Sequence, residues 1–227
     1  MDKRKNYYLI LDTETANTSK VNNKLDIHNG LVYDIGYQII DKKGIAYEQG
    51  SYIIGEVFFQ PHLMETAYYG NKVPSYLQDI QDGTRKITNI WNVRQRLYLL
   101  NQQYNTTAIV AHNAYFDISV LNSTVRQLSN GRINYFFPYN TKVYDTLLMA
   151  RQIYGKEKGY KKYCEMNGYI TKNGQPRFTA EILYRYLTGL EDFEENHTGL
   201  EDVMIEAVIF KNLMKKHRSF KKEIFKR

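Results

Sequence analysis

Apolar positions run together at the start of the chain and fall at helical spacing further on. "YYLILDTE", residues 7 to 14, is apolar at consecutive positions and predicts a strand buried on both faces until Asp12. "LVYDIGYQII", from residue 31, places Leu31, Tyr33, Ile35, Tyr37 and Ile39 on one side of a second strand. The turn "DKKG", closed by Gly44, leads into a third strand, "IAYEQGSYII", so residues 6 to 54 predict an antiparallel meander. The period then changes. "TNIWNVRQRLYLLNQQ" spaces Ile90, Val93, Leu97 and Leu100 along one helical face, and "TAIVAHN" is a short apolar strand ending at His112 and Asn113. "DISVLNSTVRQLSNG" returns to a helix with Ile118, Leu121, Val125 and Leu128 inward, and "TKVYDTLLMARQIYG" reads as strand into helix. A last helix starts near Gly199, signalled by the T-x-x-E capping box of Thr198 and Glu201, with Val203, Ala207, Phe210 and Met214 on one stripe. Strands that pair in a meander and then alternate with helices predict an α/β fold, a mixed sheet flanked by helices, in a single domain over residues 1–227.

Residues 156 to 178 break the pattern. Asn173-Gly174 between "YITK" and "QPRFT" predicts a hairpin turn, and the basic, aromatic "YKKY" before it reads either as a grip for nucleic acid or as a solvated insertion. Composition narrows the class. No apolar stretch approaches the ~20 residues of a membrane helix, and the run before Asp12 is too short for the core of a secretory signal, so no membrane association or export is expected. Cys164 is the single cysteine, which excludes an internal disulfide and a cysteine-cluster zinc site and fits a cytoplasmic location. The net charge of +7 points to an anionic partner such as nucleic acid, or to a merely basic solvated surface. The basic tail, residues 216 to 227, has the same two readings, as a dock for a partner or DNA and as a solvated helix end.

Four acids stand out against this background. Asp12 and Glu14 are two apart at a strand end, so both point to one face while Leu9, Leu11 and Thr13 point to the other. Asp117 and Asp202 each fall about one turn inside a helix start, beside apolar stripes where an uncompensated charge is costly. Taken singly, an acid in a first helical turn favours the helix dipole and nothing more. Taken together, all four lie at strand ends or helix beginnings, the edge at which an α/β sheet presents ligands.

"LDTET", "HNAYFD" and "HTGLED" resemble the three motifs of the DEDDh family of 3′-to-5′ exonucleases, which includes the proofreading (epsilon) subunit of bacterial DNA polymerase III, RNase T and oligoribonuclease. The resemblance spans residues 7 to about 215. It implies an RNase H-like fold with a five-stranded mixed sheet, metal catalysis by Asp12, Glu14, Asp117 and Asp202, and His197 of the H-x-x-x-x-D motif as general base. Converging carboxylates repel by roughly 4 kcal/mol per pair at 4 Å and an effective dielectric near 20. Two Mg²⁺ or Mn²⁺ ions per site would cancel four such charges and serve a phosphodiester hydrolysis that releases nucleoside 5′-monophosphates. The implied substrates are 3′ ends of single-stranded DNA or RNA, with DNA the expected one. The alternatives are a 3′-trimming exoribonuclease and a polymerase-associated binding module whose cleavage is secondary. A DNA polymerase and a second copy of the chain are the implied protein partners.

Substrate contacts are expected from Thr13, Thr15, His112, Asn113 and Phe116, although Asn113 reads equally as a helix cap and Phe116 as core. Asp145 is expected to cap a helix and support the site from behind, and Tyr68 and Tyr69 are candidates for stacking on bases. Two departures from the family pattern are visible. "AN" at 16 and 17 replaces the glycine that often follows the first motif, and residues 156 to 178 match nothing in it.

Overall fold

Alternation along the first strand organises the molecule, because its odd and even residues enter two different cores. A computed structural model describes residues 5–17, 20–21, 24–67, 69–216, 221 and 223. In order, the elements are β1 (Tyr7–Ala16), β2 (Lys20–Val21), β3 (Lys24–Leu25), β4 (Leu31–Asp41), β5 (Ala46–Ile54), α1 (Gly55–Phe58), α2 (Pro61–Met64), α3 (Val73–Gln81), β6 (Lys86–Thr88) and α4 (Ile90–Tyr104). They continue with β7 (Ala108–Ala111), α5 (Ala114–Leu128), β8 (Val143–Asp145), α6 (Thr146–Ile153), α7 (Lys158–Met166), α8 (Ala180–Thr188) and α9 (Gly199–Lys216). Leu9 and Leu11 pack with Ile90, Leu97 and Leu121 under α4 and α5. Tyr8 and Ile10 pack with Met149, Val203 and Phe210 under α6 and α9. Helices therefore cover both faces of the sheet, and each buried Leu, Ile or Phe contributes about 1.5–3 kcal/mol.

The sheet order is β6-β5-β4-β1-β7-β8, with β1, β4 and β5 antiparallel and β6, β7 and β8 each parallel to its neighbour. The expected meander and mixed sheet are present, but the sheet has six strands rather than five. The sixth, β6, is three residues long, too short to carry an alternation signal, and exists because Lys86–Thr88 pair with Tyr52–Ile54 at the open edge. Lys20–Val21 and Lys24–Leu25 form a separate two-stranded ribbon. The expected hairpin at Asn173-Gly174 is reduced to one bridge, Ile170 to Pro176, around a turn in which Gly174 takes φ +69°. Tyr68 and most of the basic tail beyond 216 lie outside the described residues. Among the described residues no helix is long and apolar enough to cross a membrane.

One crossing sets the position of α9. Gly36 pairs with Asp12 in the β1–β4 register, and Gly199 opens α9. A Cβ placed on Gly36 would lie 1.9 Å from the Gly199 carbonyl oxygen, so the two backbones touch where no side chain fits. Beside this contact the fully buried Asp34 accepts a hydrogen bond from the Gly199 N–H at 3.1 Å. Asp34 also accepts from Ser51 Oγ and Tyr76 Oη, both at 2.7 Å, and pairs with the Arg85 guanidinium at 3.1 Å. The capping box differs from its expected form: Thr198 Oγ1 donates to Glu201 Oε2, and an acid of the neighbouring sheet supplies the acceptor for the Gly199 N–H.

Gly36→Ala is expected to lower stability by on the order of 3 kcal/mol in urea unfolding, because α9 must lift off β4. Gly159→Ala, on α7 with its nearest neighbour at 3.3 Å, is expected to stay within about 1 kcal/mol of the parent. Equal stability of the two variants would contradict the close crossing.

Candidate active site

The four sequence-predicted acids occupy one end of the sheet. Asp12 and Glu14 leave β1 on the α9 face, and Asp202, one turn into α9, meets them. Ligand oxygens of Asp12, Glu14 and Asp202 all lie within 4.8 Å of one another. Asp117, one turn into α5, is held by Thr13, whose hydroxyl donates to Asp117 Oδ1 at 2.8 Å. A register shift between Glu14 and Thr15, where β1 leaves the regular β4 ladder, accompanies the arrangement. All four line a cleft of about 790 Å³ together with Thr13, Thr15, His112, Asn113, Phe116 and His197.

The other expected contacts have particular settings. The His112 ring is held at both nitrogens: Nε2 donates to the Phe178 carbonyl at 2.7 Å, which leaves Nδ1 to accept from Thr146 Oγ1 at 2.9 Å. Asn113 occupies the cap position of α5 with φ +65°, but its side chain makes no cap bond, so the conformational tolerance of asparagine is used there and the capping acceptor is not. Phe116 both packs against the core and borders the cleft. Asp145 caps α6, accepting from the N–H groups of Leu147 and Leu148 at 2.9 and 3.1 Å, and reaches the Asn113 N–H at 3.3 Å. His197 stands at the rim with φ +53°, its ring stacked on Tyr69 with centroids 4.2 Å apart.

Two acids at the site escaped the sequence reading. Glu195 brings Oε2 to 3.8 Å from His197 Nδ1, and with Asp202 these form a second group of ligand atoms within 4.8 Å. Glu206, one helical turn beyond Asp202, is buried at 2% exposure and accepts from the His112 N–H at 2.9 Å. Its signal was legible as a lone charge in the apolar "VMIEAVIF" at i+4 from Asp202. Glu195 lies in a loop without periodicity, where no pattern marks it. The irregular stretch before α8 forms one wall of the cleft through Thr171, Gln175, Arg177 and Phe178, and Arg151 of α6 lines it as well.

Burial dominates the electrostatics. It raises the Asp12 carboxyl well above its ordinary range, with Glu206 the largest neighbouring charge. Glu14 is pushed up to about 9 by burial and then by Asp202, and Asp202 to about 8 by burial and then by Glu195. Asp117 rises to about 7 through burial, opposed by the Thr13 hydroxyl. Burial lowers His197, and Lys72 lowers it further. Hard oxygen donors in this density suit Mg²⁺ or Mn²⁺, and the donor set fits such an ion: Asp202 Oδ1 is buried with no hydrogen-bond partner.

No protein-family model matches the sequence, and no curated protein matches it. Solved structures do. The nuclease domain of 3′hExo, a DEDDh family member bound to rAMP, superposes with TM-score 0.59 over 98% of each chain at 12% identity. A full-length 3′-exonuclease gives TM-score 0.61 at 16% identity, covering 93% of this chain and 82% of that one. The chain has the RNase H-like fold of 3′-exonucleases. Pop2p of S. pombe, in its Mg²⁺- and Mn²⁺-bound form, gives TM-score 0.53 at 12% identity over 92% of this chain and 83% of that one.

The raised carboxyl values fix a pH dependence for the metal-free protein. Each group keeps a proton when folded that its unfolded counterpart, with a pKa near ~4, has released. Their stabilising contribution is complete below ~4 and declines as pH rises through the raised values, by up to ~1.4 kcal/mol per pH unit for each group. The melting temperature in EDTA is expected to fall between about pH 6 and pH 9, with saturating Mn²⁺ removing the fall and Asp202→Asn reducing it. A melting temperature that climbs over this range in EDTA would contradict the assignment.

Proposed function

We propose that the protein is a metal-dependent 3′-5′ exonuclease that hydrolyses the terminal phosphodiester of single-stranded nucleic acid and releases nucleoside 5′-monophosphates. The reading is carried by the carboxylate oxygens of Asp12, Glu14 and Asp202 within 4.8 Å of one another, with His197 at the rim of the same cleft. The rAMP bound to the 3′hExo nuclease domain supports a mononucleotide product, and the Mg²⁺ and Mn²⁺ of Pop2p support these cations. Two divalent ions held by Asp12, Glu14, Asp117 and Asp202 would supply charge compensation for the phosphodiester, activation of water and stabilisation of the departing oxygen.

The chain's own groups account for the rest. His197, with its proton affinity lowered by burial, is neutral near pH 7 and takes the proton of the attacking water. As the water oxygen bonds to phosphorus, the bond from phosphorus to the 3′ oxygen of the preceding nucleotide breaks with its electron pair left on that oxygen, which takes up a proton from solvent to give a shortened strand with a free 3′-hydroxyl. Tyr69, stacked on the imidazole, restricts its rotation. Phe116 offers an apolar face to the terminal base, and the Asn113 amide stands beside it on the cleft wall. Arg151 and Arg177 flank the cleft and supply positive charge for phosphates further along the strand.

A 5′-labelled single strand should shorten stepwise with Mg²⁺ or Mn²⁺ and stop in EDTA, whereas a circular strand should survive. Matched DNA and RNA oligomers read out the preferred sugar. His197→Ala is expected to lower kcat by roughly 10²–10⁴-fold with little change in KM. Asp12→Ala or Asp202→Ala should reduce turnover to background, and full activity in either removes the assignment. Arg151→Ala and Arg177→Ala should instead raise KM at constant kcat, each reducing the salt dependence of binding by about 0.7 in log–log slope.

A further inference from the structure

Glu206 is a buried acid of the cleft and has no role in the reaction as derived above. One of its oxygens, Oε1, accepts from the His112 N–H. The other, Oε2, is buried with no hydrogen-bond partner, although the residue lines the cleft and is 2% exposed. Leaving a carboxylate oxygen in that state is unfavourable unless something else satisfies it. A structural duty to His112 needs one oxygen and explains nothing about the second.

The arrangement of the acids indicates what would satisfy it. Asp12, Glu14 and Asp202 form one compact oxygen set, from which Asp117 and Glu206 are absent. Asp12, Asp117 and Glu206 all line the same cleft, and Glu206 lies one helical turn along α9 from Asp202. A single divalent ion offsets two of the five carboxylate charges, so a second is needed for the remainder to stay ionised together. We propose that Glu206 is a metal ligand, completing with Asp12 and Asp117 a second divalent-cation site beside the one formed by Asp12, Glu14 and Asp202. The proposal rests on the metal-dependent reading above and adds to it a fifth acid.

Titration of the EDTA-stripped full chain with Mn²⁺ alone, followed by calorimetry and by the spin-resonance signal of free Mn²⁺, tests it without any activity measurement. The parent protein should bind two ions. Glu206→Gln, which retains an acceptor for the His112 N–H, should weaken one site by about tenfold or more and leave the other unchanged. Two unaltered sites in E206Q, or equal weakening of both, would overturn the proposal and leave the exonuclease reading standing. One ion in the parent protein would also overturn it alone, whereas no binding at all would remove both. Should E206Q not fold, Glu206→Asp, which keeps the charge and withdraws the oxygen by one methylene, must show the same selective weakening.

Discussion

The contact between Gly36 and Gly199 determines whether the site exists, because it sets the distance between α9 and the sheet. Two acids project from β1 and one from the first turn of α9, and side chains of that length meet only when the helix lies directly on the strand. With a Cβ on Gly36 blocked by the Gly199 carbonyl at 1.9 Å, the spacing is as small as backbones allow. Asp34 fixes the same crossing through polar contacts, receiving the Gly199 N–H while Tyr76, Ser51 and Arg85 satisfy its remaining capacity. Its carboxylate oxygens are thus partnered by four donors, and it sits opposite Glu14 in the β1–β4 register.

That opposition separates two kinds of buried acid. Asp34 is surrounded by donors and an arginine, so its charge is balanced by the protein itself. Asp12, Glu14, Asp202 and Glu206 lie in one cleft, where burial first and neighbouring carboxylates second raise their proton affinities. A stability-optimised core would not place these groups together. The two clusters differ in what balances the charge: side chains at Asp34, and a cation or protons in the cleft.

Much of this was legible in the chain. The spacing of Asp12 and Glu14, the helix starts before Asp117 and Asp202, and the apolar stripes of α4, α5 and α9 are short-range patterns whose periods match the elements they form. What escaped reading depends on long-range partners. Residues Lys86–Thr88 become a strand only because β5 offers an edge, and α8 carries its cap, Thr179, within a stretch whose irregular beginning masks it. Glu195 reaches the site through a loop, and Arg177 through a turn anchored elsewhere. Glu206 was visible as a charge in an apolar stripe, yet its meaning required knowing that the stripe faces Asp12 and not a featureless core.

His112 shows how these separate parts are tied together. Its backbone N–H bonds Glu206 of α9, one ring nitrogen accepts from Thr146 of α6, and the other donates to the Phe178 carbonyl on the cleft wall. Burial holds the ring neutral, the only state in which one nitrogen donates while the other accepts. Tyr160 extends the same wall, stacking on Phe178 with centroids 5.2 Å apart and donating to the Arg177 carbonyl. The segment between α7 and α8 is thereby fastened to the end of β7, the strand that leads into the helix bearing Asp117. A wall held in this way ties Arg177, through the Tyr160 and Phe178 contacts, to the framework that carries the carboxylates across the cleft.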